Sequence, residues 1–309
     1  MPDIAWRSSL SPSETSQLRS LLTDAVAVDG RPNFDPEVEE LPGDFRHRDY
    51  GLATEDGRLV GVLARDVDGD SFGRQVAELI VRPADRGRGR GAALLTALLD
   101  RVGPPAADGE TETLRVWSHG DHPAAAALAA RFGLRRVREL RRMRLTLADT
   151  ELAAPHFPEG VSLRTFQIGH DEAAMIAVNH RAFAWHPEQG SFSAADLADA
   201  EKQPWFDPAG FFLAVDAADD HLLGFHWTKV HGELDGAGAP MGEVYVVAVD
   251  PGAGRHGLGT ALTLTGLRHL ADRGARQVML YVEADNAPAT DVYARLGFVD
   301  WDADVQYAY

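Results

Sequence analysis

Cysteine is missing from all 309 positions of the chain. Disulfides, thiolate metal sites and cysteine nucleophiles are thereby excluded, and any thiol chemistry must belong to a ligand. Basic charge is also scarce. Thirty lysines and arginines face 47 aspartates and glutamates, a formal net charge of −17. Such a balance argues against nucleic acid or an anionic membrane as partner, because phosphate binding needs a basic face. No apolar run approaches the roughly 20 residues needed to span a bilayer. The start, Met1-Pro2-Asp3-Ile4-Ala5-Trp6-Arg7, lacks the basic-then-apolar layout of a secretion signal. The expectation is a cytoplasmic, monomeric protein without a metal. What is present is the composition of a globular chain, 45% hydrophobic and 25% charged. Its length suits two domains of about 150 residues each better than one core.

A long repeat supports that division. Ile80-Val81-Arg82-Pro83-Ala84-Asp85-Arg86-Gly87-Arg88-Gly89-Arg90-Gly91 matches Ala248-Val249-Asp250-Pro251-Gly252-Ala253-Gly254-Arg255-His256-Gly257-Leu258-Gly259, at a spacing of about 165 residues that fits a duplicated domain rather than a solenoid. Hairpin signals precede both stretches, at Asp56-Gly57 and Asp219-Asp220. Helical stretches follow both, and Phe132-Gly133-Leu134 recurs as Leu296-Gly297-Phe298. The order strand, hairpin, strand, glycine loop, helix, strand, helix, strand is thus written twice. Ser11-Pro12-Ser13-Glu14 offers an N-cap with a capping-box glutamate, and Leu18, Leu21, Leu22 and Ala25 supply an apolar helical stripe. Ser193 and Asp196 could open a helix in the same way. The boundaries read as a first domain at 1–148, a linker at 149–160 and a second domain at 161–309.

A strand followed by a glycine loop and a helix presents unpaired backbone N–H groups to an anion, with the helix dipole behind them. A pyrophosphate suits that arrangement, and the glycines let it approach the backbone. Antiparallel hairpins come before each loop, which disfavours a dinucleotide fold. A solvated turn is the plain alternative for either copy alone. The pair of loops resembles the GNAT (acyl-CoA N-acyltransferase) superfamily, whose signature is a strand, (Arg/Gln)-x-x-Gly-x-(Gly/Ala) and a helix. The resemblance covers nearly the whole chain, twice. It implies an α+β fold of tandem GNAT domains, each a central, mostly antiparallel mixed sheet flanked by helices, and acetyl-CoA as co-substrate. The second loop departs from the signature, with Gly254 where the arginine is expected.

Acetyl transfer to an amine needs a base for the amine, stabilisation of the oxyanion and a proton for the leaving thiolate. In the second copy, Glu243 begins the strand before the loop and could serve as general base. Tyr293 lies on the later helix, where a phenol could act as general acid, and a strand N–H near Val247 could meet the oxyanion. Aligning the copies puts Gln75 opposite Glu243 and Ala129 opposite Tyr293, and neither can transfer a proton. The second domain is therefore expected to be catalytic and the first to be non-catalytic, binding cofactor or supporting the fold. Plain alternatives exist here too: a strand-end carboxylate for Glu243, helix packing for Tyr293, and the polar end of a hairpin for Lys229 and His231.

Segments including His186-Pro187-Glu188-Gln189-Gly190, Gly224-Phe225-His226-Trp227-Thr228-Lys229-Val230-His231 and Leu280-Tyr281-Val282-Glu283 resemble the mycothiol synthase family, whose members acetylate the cysteinyl amine of Cys-GlcN-Ins. That resemblance implies Glu243 as base and Tyr293 as acid, with Glu188, Lys229, Tyr281 and Glu283 holding substrate. It also places an acidic contact in the first domain, at Glu37. Acetyl-CoA would be held by Val247, Ala248 and Val249, then by Gly254, Arg255, His256, Gly257, Leu258, Gly259 and Thr260. Asn286, Ala287, Pro288, Ala289, Thr290 and Asp291 would complete that site. In the first domain Leu79, Ile80 and Val81, with Gly87, Arg88, Gly89, Arg90, Gly91 and Ala92, would hold a second CoA. The alternatives are a GNAT enzyme for another small amine or a protein N-terminus, and a non-catalytic acyl-CoA sensor.

Overall fold

The computed structural model describes residues 2–30, 48–70, 72–104, 112–147, 150–187, 189–234 and 238–309. The chain forms two compact units, Met1–Leu140 with Asp302–Tyr309, and Arg141–Trp301. Unit 1 runs β1 (Asp3–Arg7), α1 (Pro12–Asp29), β2 (Arg48–Glu55), β3 (Arg58–Asp66), β4 (Gln75–Val81), α2 (Arg90–Val102), β5 (Leu114–His119) and α3 (Pro123–Arg131). β6 (Arg135–Thr146) crosses the boundary. Unit 2 continues with β7 (Val161–Thr165), α4 (Glu172–Ala182), α5 (Ala194–Ala200), β8 (Phe211–Asp216), β9 (Leu222–Leu234), β10 (Pro240–Val249), α6 (Leu258–Asp272), β11 (Gln277–Glu283) and α7 (Ala287–Arg295). β12 (Val299–Ala308) ends the chain.

Each unit has a mostly antiparallel sheet that includes a parallel step. In unit 1 the order is β1-β2-β3-β4-β5-β12, with β4 and β5 parallel and β12 antiparallel to β5, Asp304 facing His119. In unit 2 it is β6-β11-β10-β9-β8-β7, with β10 and β11 parallel. The terminal strands are thus exchanged relative to the written order of the repeat. Residues 302–309 complete unit 1, whereas residues 141–146 lie in unit 2. The division falls inside β6 rather than at 149–160, because backbone pairing, not local composition, decides which unit a strand joins.

Local chemistry explains the helices that frame the sheets. Ser11 accepts from the Glu14 N–H while the Glu14 carboxylate takes the Ser11 N–H, a complete capping box, and Pro12 opens α1. Leu18, Leu21, Leu22 and Ala25 are buried against β2 and β3 residues. Ser193 and Asp196 form the second capping box, at α5. The β2–β3 hairpin turns through Asp56 and Gly57, both at positive φ, as a two-residue turn on right-twisted strands requires. In unit 2, Trp227 is fully buried and stacks on Phe211, which stacks on Phe166.

His226 is the one fully buried imidazole of that sheet among the described residues. Its Nδ1 donates to the Leu262 carbonyl of α6 at 2.8 Å, and the ring occupies the space left by Gly266. Burial disfavours the imidazolium and lowers the pKa from 6.5 to about 4, the Leu262 hydrogen bond opposing and His269 adding to the shift. The unfolded chain therefore takes up a proton below pH 6.5 that the folded chain refuses. The stability this position contributes is intact above about pH 6.5 and is lost towards pH 4, by about 3 kcal/mol in all at roughly 1.4 kcal/mol per pKa unit. Urea unfolding at pH 7 and pH 5 should show about 2 kcal/mol of that loss in the wild type. His226→Asn keeps a donor for Leu262 but cannot charge, so its dependence on pH should be shallower; an equal slope in both proteins would overturn the assignment.

Candidate active site

Register assembles one polar face in unit 2. Glu243 of β10 lies opposite Lys229 of β9 and beside Met279 of β11, and paired residues share a face of a sheet. Alternation then puts His231, Tyr281 and Glu283 on that face with Lys229 and Glu243. Val244, Val278, Leu280 and Val282 point the other way, into an apolar cluster with Leu267 and Leu270 of α6. The candidates Lys229, Glu243, Tyr281 and Glu283 are thus brought together by alternation on three neighbouring strands.

A β-bulge shapes the face. Val244 and Val246 lie opposite the consecutive residues Thr228 and Trp227, so Tyr245 is the extra residue. Its ring packs edge-on against Trp227 and Trp205 at 5.0 and 5.3 Å. Lys229 Nζ sits 4.2 Å from the Trp205 ring centroid and 5.3 Å from that of Tyr245, a cation–π seat for the ammonium. Both carboxylates of the face are buried, Glu243 at 6% and Glu283 at 7% exposure. Each meets an imidazole. His231 Nε2 lies 2.7 Å from Glu243 Oε2, and His186 Nε2 lies 3.5 Å from Glu283 Oε1. His186 Nδ1 accepts the Gln189 N–H, which leaves its Nε2 as the donor towards Glu283. From the sequence, His231 also reads as the polar end of a hairpin, and His186 carries no role. The only signal was that His231 stands two residues from Lys229.

β10 and β11 then part. Their parallel pairing covers 241–243 on β10, so Val244 to Val249 keep β9 alone as strand partner. The backbone edge they turn towards β11 is open to a ligand, as an unpaired strand edge is. Tyr293 lies on α7, whose first turn is capped by the Asn286 side chain. It packs with Ala289 and Val247 on the α6-side cluster and edge-on to Phe298 at 5.7 Å. Desolvation pushes its phenol up to about 12, so the proton stays on the oxygen at any working pH. Glu243 and Tyr293 therefore occupy opposite faces of the sheet.

Beyond β10, Asp250 accepts the Gly252 N–H and the Arg181 guanidinium. Gly254 and Gly257 take positive φ, and Gly257 caps α6 without any side-chain hydrogen bond. The Leu258 N–H turns back to the Arg255 carbonyl, which leaves the N–H groups of Gly259 and Thr260 in the first turn of α6 to meet an anion. Arg255 is bonded to the Glu159 carbonyl and Asp216, and His256 is exposed.

Unit 1 repeats the backbone without the candidate carboxylate and phenol. β4 pairs with β5 only over 75–78, and Gly89 at positive φ caps α2, again with no side-chain bond. Leu79, Ile80, Val81, Gly87, Gly89, Arg90, Gly91 and Ala92 line a cavity of about 470 Å³. Arg88 is outside it, Arg86 is clamped by Asp29 and Arg90 by Glu55. Gln75 accepts from Arg65, and Ala129 is buried in the apolar core. Glu37 and Glu188 lie outside the described residues.

Two sheets that each open beside a parallel strand pair, above a glycine-capped helix, define a tandem acyltransferase. The sequence profile of the acetyltransferase (GNAT) family matches residues 16–134 and 178–298, and the chain belongs to that family, whose acyl donor is acetyl-CoA. More particularly, it is similar to the mycothiol acetyltransferase of Saccharomonospora viridis, 52% identical with 100% of this chain and 99% of that one covered. It is 50% identical to the mycothiol acetyltransferase of Actinosynnema mirum, with 100% of each chain covered. Among solved structures, a GNAT enzyme from Sphaerobacter thermophilus superposes with a TM-score of 0.72 at 24% identity, covering 100% of this chain and 96% of that one. A tandem GNAT protein from the clavulanic acid biosynthesis pathway gives 0.70 at 23%, covering 99% and 98%. These two speak to the tandem fold alone. Among the described residues no helix is long and apolar enough to cross a membrane.

Proposed function

We propose that unit 2 transfers the acetyl group of acetyl-CoA to the cysteinyl amine of Cys-GlcN-Ins, with Glu243 as general base and Tyr293 as general acid. The observation that carries this reading is the shared face of Lys229, Glu243, Tyr281 and Glu283 beside the gap between β10 and β11. A substrate with many hydroxyls and an amine suits carboxylates, a cation and a phenol, because each hydroxyl both donates and accepts.

Because the base and the acid serve opposite faces, the reacting carbon belongs in the gap itself, reached by Glu243 from one side and Tyr293 from the other. The residues fit acetyl-CoA there: an open strand edge at Val247 to Val249, a glycine-capped helix at Gly257 to Thr260 for pyrophosphate, and the Asn286-capped start of α7. When bound, it supplies the thioester. Glu243 takes one proton of the substrate ammonium, whose ordinary pKa is about 7.7 to 8.0, and the amine nitrogen bonds to the acetyl carbon, releasing its second proton to solvent as the carbon–sulfur bond breaks. Tyr293 donates from its hydroxyl to the departing sulfur and is reprotonated from solvent. In unit 1, the cavity between β4 and α2 would hold a second acyl-CoA without turnover, since Gln75 and Ala129 replace the base and acid.

Release of CoA by the purified protein, followed with Cys-GlcN-Ins, glucosamine and a peptide N-terminus in parallel, tests the acceptor. The expected result is kcat/KM at least about 10²-fold higher on Cys-GlcN-Ins, the discrimination that buried groups left unpaired by a poorer acceptor impose. Equal rates on the peptide would move the assignment to another amine. Binding of acetyl-CoA without turnover would favour a sensor.

A further inference from the structure

We propose that His231 is the positioning residue of the base, fixing one carboxylate oxygen of Glu243 so that the other faces the amine. The inference rests on Glu243 acting as that base. His231 Nε2 and Glu243 Oε2 are 2.7 Å apart, a charge-assisted length, and the pair is diagonal across antiparallel strands. His231 stands opposite Met241, and Glu243 opposite Lys229. The register is irregular immediately beyond His231, between Pro240 and Met241, so His231 occupies the last regular place from which β9 reaches the carboxylate.

Two other polar groups of the face are engaged elsewhere. Lys229 is drawn over the Trp205 and Tyr245 rings, and Glu283 is served by His186. A buried carboxylate with two free rotamer-dependent oxygens aims poorly, and misplacement by about 1 Å costs on the order of 10²-fold in rate. A donor on Oε2 removes one of those freedoms. For this, the imidazole must carry its proton on Nε2, because a lone pair there would repel the carboxylate.

The test has two arms on the full-length protein. In the kinetic arm, His231→Leu should lower kcat about 10²-fold with KM changed less than about threefold, while His231→Gln, whose amide N–H reaches the place of Nε2, should stay within about threefold of wild type. Equal loss in both variants, no loss in either, or a loss confined to KM would overturn the proposal. In the spectroscopic arm, ¹⁵N signals of the His231 ring, assigned by their disappearance in His231→Gln, should report a proton on Nε2. A ring protonated on Nδ1 alone would overturn the proposal without reference to any substrate. Failure of the wild type to turn over Cys-GlcN-Ins would instead count against the acceptor, and the ring signals would still decide the role of His231.

Discussion

Glu243→Gln should lower kcat/KM for acetylation by 10²- to 10⁴-fold near pH 7, the usual worth of a positioned general base, with little change in folding stability. Glutamine is isosteric, and its amide oxygen can still accept the His231 N–H, so the buried site stays paired. The deficit should also shrink as pH rises. A substrate amine with a pKa of about 7.7 to 8.0 deprotonates unaided above that range, so the variant should gain about tenfold per pH unit below it and level off above it. Tyr293 imposes no falling limb of its own under those conditions, since its phenol is pushed up to about 12. A pH–rate profile of Glu243→Gln that parallels the wild type would remove Glu243 from the proton transfer.

Gly266→Ala should destabilise unit 2 by about 2–3 kcal/mol, an unusual cost for adding one methyl to a helix. Alanine is worth up to about 1 kcal/mol over glycine in a helix interior, but here its Cβ would collide with Cε1 and Nδ1 of the His226 ring. That ring is fully buried and tied to Leu262, so it cannot swing aside, and overpacking of this kind costs 1–3 kcal/mol or more. A double-mutant cycle in urea with His226→Ala isolates the contact. The double variant should be more stable than the sum of the singles requires by at least about 1 kcal/mol, as for residues in direct contact. Strict additivity would mean that the helix, not the ring, responds to the methyl group.

The features read from the sequence were those with a local cause. The capping residues Ser11, Glu14, Ser193 and Asp196 act within four positions. The glycines at 57, 89 and 257 stand where backbone of positive φ is required. Duplication was legible for a similar reason, since each copy carries its own strand, loop and helix. Lys229, Tyr281 and Glu283 are legible in the sequence through its family resemblance, and Glu243 also through its place before the loop. Their common face depends on pairing across three strands. The Tyr245 bulge escaped notice because an extra residue in one strand shows only against its partner. His231 was passed over for a related reason: its meeting with Glu243 needs the offset of the β9–β10 hairpin, which an irregularity disguises. The exchange of terminal strands has no local signature at all, and β12 and β6 look equally suited to either unit.

That exchange sets an order on the making of the molecule. The stretch that pairs with β5, Asp304 to Ala308, is separated from it by the whole of unit 2. As the chain emerges, β1 to β4 and their helices can collapse, but β5 meets its antiparallel partner only once the chain has been synthesised as far as Asp304 to Ala308. Unit 2 has its own elements complete by Trp301. The earlier half of the gene therefore encodes the later half to finish, and the loop that must close to finish it contains the catalytic unit. Loop-closure entropy grows only slowly with length, so the final fold loses little by this route. The delay falls instead on the rate, with the apolar edge of β5 waiting for a strand that arrives last.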